Sequence, residues 1–453
     1  MYYIGIDIGT SSICGIVYDA VNKTYDSVTK QNTAHILSPL AWERIQNPSI
    51  IMDIVNEIIC LFTAQYPDIK AIGVTGQMHG ILYIDEHGNA LTPLYTWQDG
   101  RGSQLFINNL TYSQYLTELT NYRTATGYGL VTHFYNQKNN LVPCNAVKLC
   151  TIMDYAVMKL SKTASPIIDY TNGAALGFFD TEKLCFDTEA LTKVGIDASF
   201  LPELKPSGAF AGLHQGSIPV FSAIGDNQAS FIGSVSDIPH SVHITIGTSS
   251  QISVYSEKYT AVPSLDTRPL PGGGYILVGA ALCGGQSFAV LKDFFEATLK
   301  FFGTKTSGNL QKLIFSRFPS ELPDLYDIMT TIPVDAADEL PITETLFNGT
   351  RSEPSKKGSI SNISTTNFTP QNLIISFLKG ISDELHNFFL QLPDEIRQNK
   401  TILVGAGNGI TKNPLLINII EQQFNCNMTL SPQAEVAALG ACLFVTQPLI
   451  LNS

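Results

Sequence analysis

Two short runs in this chain carry the residue types that handle phosphate. Ile8-Gly9-Thr10-Ser11-Ser12 returns as Ile246-Gly247-Thr248-Ser249-Ser250, 238 residues later. Glycine lets the backbone turn sharply and approach a ligand. Successive N–H groups, together with Thr and Ser hydroxyls, offer neutral donors to phosphate oxygens without a lysine. Gly9, Thr10, Ser11 and Ser12 in one copy, and Gly247, Thr248 and Ser249 in the other, are therefore candidate phosphate ligands. The copies differ one residue earlier, where Asp7 stands against Thr245. A carboxylate beside a phosphate loop invites Mg²⁺ and a threonine does not, so the first copy is expected to face the metal. A second carboxylate, Asp226, follows the apolar run Val220 to Ile224 in Gly225-Asp226-Asn227-Gln228. At the end of a buried strand it would act as a general base, taking a proton from a hydroxyl during phosphoryl transfer. An isolated Gly-Asp-Asn also reads as an Asx-turn or a helix N-cap, and duplication of the loops is what favours the chemical reading.

A further set suits a polyhydroxy ligand. Gln77 and His79, in Gly76-Gln77-Met78-His79-Gly80, can donate to and accept from hydroxyls. Trp97 offers an apolar ring face for the C–H side of a sugar, and Asp99 a carboxylate for adjacent hydroxyls. Met78 and Asn227, beside these residues in sequence, are also candidate substrate contacts, as is Asp226. Arg101 is assigned first to an ion pair with Asp99 or a nearby loop. The Gly405-Ala406-Gly407-Asn408-Gly409 loop would let a flat base or ribose lie against backbone, with Asn408 bonding a ribose hydroxyl. It lacks dinucleotide-fingerprint spacing, and no Walker lysine is present.

The elements that must hold these residues alternate strand and helix. Ile4, Ile6 and Ile8 precede the first loop as Val242, Ile244 and Ile246 precede the second; each copy reads as a hairpin with a returning strand, Ile13 to Tyr18 and Ile252 to Tyr255. Ile51, Ile54, Val55, Ile58, Ile59 and Phe62 fall at helical spacing behind Asn47-Pro48, and the strand Ile69 to Thr75 follows. Ile374 to Phe389 and Thr401 to Val404 repeat that rhythm. Ile342 to Thr369, with Arg351, Lys356 and Lys357, reads as a surface excursion. Ala434, Ala437, Ala438, Gly440 and Ala441 give a late helix a small-residue face for close packing on a sheet. The pattern breaks around Ser234 to His240, dividing the chain into an N-terminal domain, 1–236, and a C-terminal domain, 237–453. The fold class expected is α/β.

At 453 residues, with 44% aliphatic, aromatic and Cys residues and 15% charged ones, the chain is a well-buried globular protein with room for two domains. Its net charge of −12 argues against nucleic acid or an anionic membrane as main partner, without excluding a nucleotide held by backbone and metal. Eight cysteines without CxxC spacing, with Cys14, Cys60, Cys150, Cys283 and Cys442 in apolar surroundings, read as reduced core residues of a cytoplasmic protein. No signal peptide and no membrane-spanning run are read.

Asp7-Ile8-Gly9-Thr10-Ser11, Gly247-Thr248-Ser249, Gly225-Asp226-Asn227-Gln228 and Gly405-Ala406-Gly407, in that arrangement, resemble the FGGY carbohydrate kinases. Gly76-Gln77-Met78-His79-Gly80 looks like the xylulose-phosphorylating members and their relatives rather than the glycerol kinases. Thr96-Trp97-Gln98-Asp99-Gly100-Arg101, Thr151 to Tyr155 and Asp169 to Phe179 resemble those acting on sedoheptulose. The resemblance implies two ribonuclease-H-like domains of the actin and hexokinase type, closing over ATP and a sugar. It implies Asp226 as base, Asp7 and Asp226 around Mg²⁺ directly or through water, and Thr10, Ser11, Gly247 and Thr248 on the phosphates. Gly285, Gly405, Ala406 and Asn408 would lie near the nucleoside, and Gln77, His79, Trp97 and Asp99 near the sugar. Cys283 stands where the family pattern has asparagine. The expected activity is transfer of the γ-phosphate of ATP to the terminal hydroxyl of a ketose, sedoheptulose ahead of xylulose or ribulose; a homodimer is compatible with it. Two competing classes are an actin-like ATPase, which has no need of the Gln77/His79 and Trp97/Asp99 constellation, and a plain sugar-binding module, which has no need of two phosphate loops.

Overall fold

The computed structural model describes residues 1–305, 324–332, 339–350, 353, 355–431 and 435–447. Each copy of the repeated loop joins two adjacent interior strands of its own sheet. In the first, β1 (Tyr2–Ile8) runs antiparallel to β2 (Ser12–Asp19) and parallel to the strand Ile69–Gly76, and β3 (Thr24–Gln31) extends the hairpin. The strands Ile218–Phe221 and Phe210–His214 complete the other side, and the short strand Ile224–Gly225 also pairs with Ile69–Gly76. The second sheet repeats the motif: Ser241–Ile246 is antiparallel to Ser250–Ser256 and parallel to Ile402–Ala406, with Tyr275–Ala281, Asp266–Pro269 and Met428–Leu430 outside them.

Because β1 is central, both of its faces are covered, and its two residue sets go to different cores. Ile4, Ile6 and Ile8 meet α1 (Pro48–Gln65), which buries Ile51, Met52, Val55, Ile58, Ile59 and Phe62. Burying each of these side chains stabilises by about 1.5–3 kcal/mol. Asn47 caps α1 by accepting from the Ser49 N–H, and Pro48 occupies the first turn, where a missing N–H costs nothing. By length and composition α1 could cross a membrane, an outcome the sequence reading did not anticipate. Its apolar stripe is instead core. Cys60 lies on its outer face and is exposed, unlike the buried Cys14, Cys150, Cys283 and Cys442.

The other face of β1 receives the helix Val436–Val445, close to the end of the described chain. A Cβ on Gly5 would sit 2.0 Å from the Ala438 carbonyl oxygen, and one on Gly73 2.2 Å from that of Ala441. Glycine on the strands and alanine on the helix let backbone meet backbone. The small-residue face expected from sequence is thus used, but on the first sheet, although the helix follows the whole second sheet in the chain. Ala434 and Arg351 lie outside the described residues. The expected surface excursion is partly tied down: Ile342–Glu344 pairs with Ser359–Ser361, and Thr343, Thr345 and Asn367 are buried.

Candidate active site

Register brings the two carboxylates to one edge of the first sheet. Asp7 lies opposite Thr75 and Ile8 opposite Gly76, while Ile224 lies opposite Thr75 and Gly225 opposite Gly76. The Thr75 hydroxyl donates to the Ile224 carbonyl at 2.7 Å, closing the gap between these strands. Asp7 and Asp226 therefore emerge on either side of the same strand, at the carboxyl ends where open α/β sheets hold ligands. Asp226 is the first residue of the helix Asp226–Ser234, with Gly225 in the cap position and no side-chain cap bond. The Asx-turn or N-cap alternative does not hold.

Burial pushes the Asp226 carboxyl up to about 6, opposed by backbone hydrogen bonds and by the Arg268 guanidinium. Asp7 is pushed up to about 7, first by burial and then by the nearby charges of Asp226 and Glu435. Two carboxylates held together at a ligand edge destabilise each other's charge until a cation or proton arrives. Among the described residues no group of three or more His, Cys, Asp or Glu forms a metal cage. A carboxylate pair suits a hard divalent cation that keeps water and takes phosphate oxygens as its remaining ligands.

The first loop is gripped from behind. Asn32 donates from Nδ2 to the Gly9 carbonyl at 2.9 Å and from its backbone N–H to the Ser11 carbonyl at 2.9 Å. Gln46 Nε2 donates to the Thr10 carbonyl at 2.8 Å. In a trans peptide C=O and N–H point oppositely, so three inward carbonyls turn the N–H groups of Thr10, Ser11 and Ser12 away from the protein. Those N–H groups are free of the three carbonyl contacts that hold the loop. The Thr10 hydroxyl is engaged: it donates to Gln77 Oε1 at 3.3 Å and accepts from Trp97 Nε1 at 3.0 Å. The phosphate loop and the expected sugar residues are thus one bonded unit.

That unit changes several expected roles. Gln77 is 3% exposed, and its Nε2 donates to Gln46 Oε1 at 2.9 Å. It braces the loop rather than opening onto hydroxyls. Met78 is buried under Gly225, whose added Cβ would meet Met78 Cε at 2.6 Å, so it packs beneath the turn into Asp226 rather than opening onto a ligand. Asp99 is 0% exposed and binds Arg101, with Nε to Oδ1 at 2.6 Å, while its Oδ2 accepts from the Arg44 N–H at 3.0 Å. Its carboxylate holds the loop that carries Trp97 and is withdrawn from a ligand, as the assignment of Arg101 to an ion pair anticipates. Trp97 keeps 46% of its surface exposed, which leaves ring area for a ligand.

His79 stands at φ +74°, a left-handed conformation that a residue bearing a side chain adopts at some cost. Its ring lies parallel to Tyr128 with centroids 4.7 Å apart, and Nδ1 is 2.7 Å from the Ala175 carbonyl. A carbonyl only accepts, so the proton sits on Nδ1. Asn227 donates to Gln251 Oε1 at 3.5 Å, and its own Oδ1 is buried without a partner, an orphan acceptor beside Asp226.

Gly285, Gly405, Ala406 and Gly407 come together around the second loop. The N–H groups of Gly284 and Gln286 donate to the Thr248 carbonyl at 2.9 and 3.1 Å, and that of Gly285 to the Gly247 carbonyl at 2.9 Å. Ala406 lies opposite Thr245, and Gly407, at φ +86°, passes so near that a Cβ would meet the Ile246 carbonyl oxygen at 2.4 Å. Asn408 opens the short helix Asn408–Thr411 there. Gly285 is therefore a prop for the phosphate loop, its N–H already used.

Sequence reasoning passed over four contributors. Asn32 and Gln46 lie in stretches without periodicity, and Glu435 and Arg268 reach the site from distant parts of the chain. Arg268 is held by Asp266 at 3.1 Å, and Asp266 also meets Arg123 at 3.4 Å.

A family model described as the FGGY family of carbohydrate kinases, N-terminal domain, matches residues 2–233. The chain belongs to that family. Among curated relatives, mouse sedoheptulokinase is 26% identical, the match covering 98% of this chain and 97% of the relative. Xylulose kinase of Lactococcus lactis is 27% identical over 66% of this chain and 63% of its own. Among solved structures, ligand-bound xylulose kinase from Lactobacillus acidophilus superposes with a TM-score of 0.78 at 20% identity, covering 100% of this chain and 90% of that one. Plasmodium falciparum glycerol kinase with ADP gives a TM-score of 0.75 at 22% identity, covering 98% and 88%. The fold is the α/β two-domain architecture of the actin and hexokinase type, and the chain is a carbohydrate kinase of the FGGY family.

Proposed function

We propose that this protein transfers the γ-phosphate of ATP to the terminal hydroxyl of sedoheptulose, giving the 7-phosphate, with Mg²⁺ at Asp7 and Asp226. The observation that carries the chemistry is the placement of Asp226 at a strand end beside Asp7 and the first loop, with a carboxyl poised at about 6. A base with that affinity is ionised at neutral pH, yet basic enough to take a hydroxyl proton as the O–P bond forms. Mg²⁺, when bound, neutralises charge on the transferring group. The N–H groups of Thr10, Ser11 and Ser12 bind phosphate oxygens, with Thr248 and Ser249 supplying the donors of the second loop, whose turn is closed by the Gly247 N–H donating to the Ser249 carbonyl at 2.9 Å. His79 and Trp97 orient the sugar, and the Asn227 Oδ1 accepts from one of its hydroxyls. Closure of the two domains excludes water, the competing acceptor. The full-length similarity to sedoheptulokinase supports the seven-carbon ketose. Similarity to xylulose kinases supports a second reading, the same chemistry on a five-carbon ketose. Eight free cysteines are in keeping with a reducing cytoplasm, where we place the reaction. The test is product identity: protein, ATP, Mg²⁺ and sedoheptulose should yield a sugar monophosphate whose phosphorus couples to the terminal CH₂ protons. A sugar recovered unmodified beside accumulated ADP would overturn the proposal.

A further inference from the structure

The run Asp169 to Leu176 supplies no group to either phosphate loop, yet Asp169, Thr171 and Asn172 are each 0% exposed. Polar groups buried to that degree are costly unless bonded; the Asn172 Oδ1 is left without a partner, and the bonds the others make converge on the loop before Asp226. Asp169 accepts from the Thr171 hydroxyl at 2.8 and 2.9 Å, from the Asn172 N–H at 2.9 Å and from the Ser207 hydroxyl at 2.6 Å. The Thr171 oxygen in turn accepts from the Gly225 N–H at 2.8 Å. A hydroxyl has one proton; an ionised carboxylate can only accept, so Asp169 fixes the Thr171 rotor with its lone pair towards Gly225. Asn172 Nδ2 donates to the Ala223 carbonyl at 3.2 Å, and Thr75 holds the Ile224 carbonyl. Ala223, Ile224 and Gly225, the three residues before Asp226, are thus each tied by a buried side chain. The same short helix, Tyr170–Leu176, presents the Ala175 carbonyl that fixes His79.

We infer that Thr171, oriented by Asp169, is a positioning residue for Asp226, and that the helix Tyr170–Leu176 sets the distance between the base and the sugar-binding His79. This rests on Asp226 being the base of a ketose kinase. Without the Thr171 hydroxyl the Gly225 N–H loses its acceptor and the turn into Asp226 is free to rotate. Misplacement of a reacting group by about 1 Å costs about a hundredfold in rate.

The experiment compares the full-length wild type with Thr171→Val, Thr171→Ser and Thr343→Val in sedoheptulose-dependent ADP release. Thr343 shares a buried hydroxyl pair with Ser376 at 2.5 Å in the second half of the chain, and its variant measures what loss of such a pair does to stability alone. Thr171→Val should lower kcat about ten- to a hundredfold with KM for ATP unchanged, and Thr171→Ser should restore most of it. Thr343→Val should lose melting temperature and keep its kcat. Added to Asp226→Asn, Thr171→Val should cost nothing more, since the group it positions is gone. If the valine variant does not fold, Asn172→Ala, which releases Ala223, takes its place with the same expected loss of kcat. Wild-type kcat in the valine variant, a serine variant as impaired as the valine one, or an undiminished valine effect on Asp226→Asn would each overturn the inference. A wild type with no ketose-dependent ADP release would remove the kinase reading itself, an outcome separable from an active wild type whose rate ignores Thr171.

Discussion

Gly440→Ala opposes two physical effects of known size. In an exposed helix the change stabilises by about 0.8–1 kcal/mol, because alanine loses less backbone entropy. Gly440, however, crosses the helix Asp226–Ser234 backbone to backbone: its Cβ would lie 1.7 Å from the Ala229 carbonyl oxygen and 2.5 Å from the Ala229 carbonyl carbon. The contact is reciprocal, since a Cβ on Gly233 would lie 2.0 Å from the Val436 carbonyl oxygen. Ordinary Cβ contacts begin near 3.4 Å, so the helices must part by about 1.7 Å. No flexible side chain can yield, and overpacking of this kind costs about 1–3 kcal/mol or more, which outweighs the propensity gain. Ala229 lies within the first turn of the helix that begins with Asp226, so the displacement reaches the base. The expected variant melts several degrees lower, at about 2–4 °C per kcal/mol, and has a kcat reduced about tenfold or more. A thermal scan and steady-state ADP release measure both. An alanine enzyme with raised melting temperature and unchanged kcat would refute the close-packing argument.

Three further outcomes follow from buried charges. Asp99→Asn removes the carboxylate from Arg101, whose side chain is 1% exposed, and should cost about 3–5 kcal/mol in urea unfolding, nearer the lower figure because Glu43 remains at 3.0 Å; a loss under about 1 kcal/mol would contradict the placement of that pair. Burial pushes His243 down to about 4, whereas an unfolded histidine titrates near 6.5. Below that pH the unfolded state gains a proton the folded state refuses, so by pH 4.5 this residue alone removes about 3 kcal/mol of stability. His243→Gln should show a correspondingly flatter pH dependence, and identical curves for the two proteins would exclude the effect. In the proposed mechanism Asp226 as base and Asp7 as a Mg²⁺ holder must both be ionised, so with Asp226 at about 6 and Asp7 at about 7 the kcat/KM for the ketose should fall as the pH drops below 7, more steeply below 6, and level above 7. A profile flat from pH 5 to 7 would assign the proton to another group.

Much of the fold is legible in the chain because its strongest signals are local. The duplicated hairpins announce themselves by alternating β-branched residues before a repeated loop, and α1 by apolar residues at helical spacing behind Asn47-Pro48. Asp226 is legible for a related reason, a polar residue at the end of an apolar run. What escaped depends on partners distant in sequence. Gln77 carries suitable groups for a sugar, but nothing near it in the chain says that Gln46 already engages them; Arg101, two residues on, signals the ion pair of Asp99, whereas the Arg44 N–H that takes its other oxygen is distant in sequence. The small-residue face of Val436–Val445 predicts close packing without saying on which sheet, and Gly5 and Gly73 answer only once the strands are assembled. Thr10 divides along the same line: its place in a phosphate loop is a sequence property, while the use of its hydroxyl by Trp97 is tertiary.

The most direct measurement is ADP release by the purified protein with ATP and Mg²⁺, across sedoheptulose, D-xylulose, D-ribulose and glycerol, with Asp226→Asn alongside. Release should depend on the sugar and be fastest with sedoheptulose. In the Asp226→Asn variant it should drop by about two orders of magnitude or more while ATP binding persists. ADP release that ignores every sugar, or an Asp226→Asn variant that turns over normally, would contradict the account.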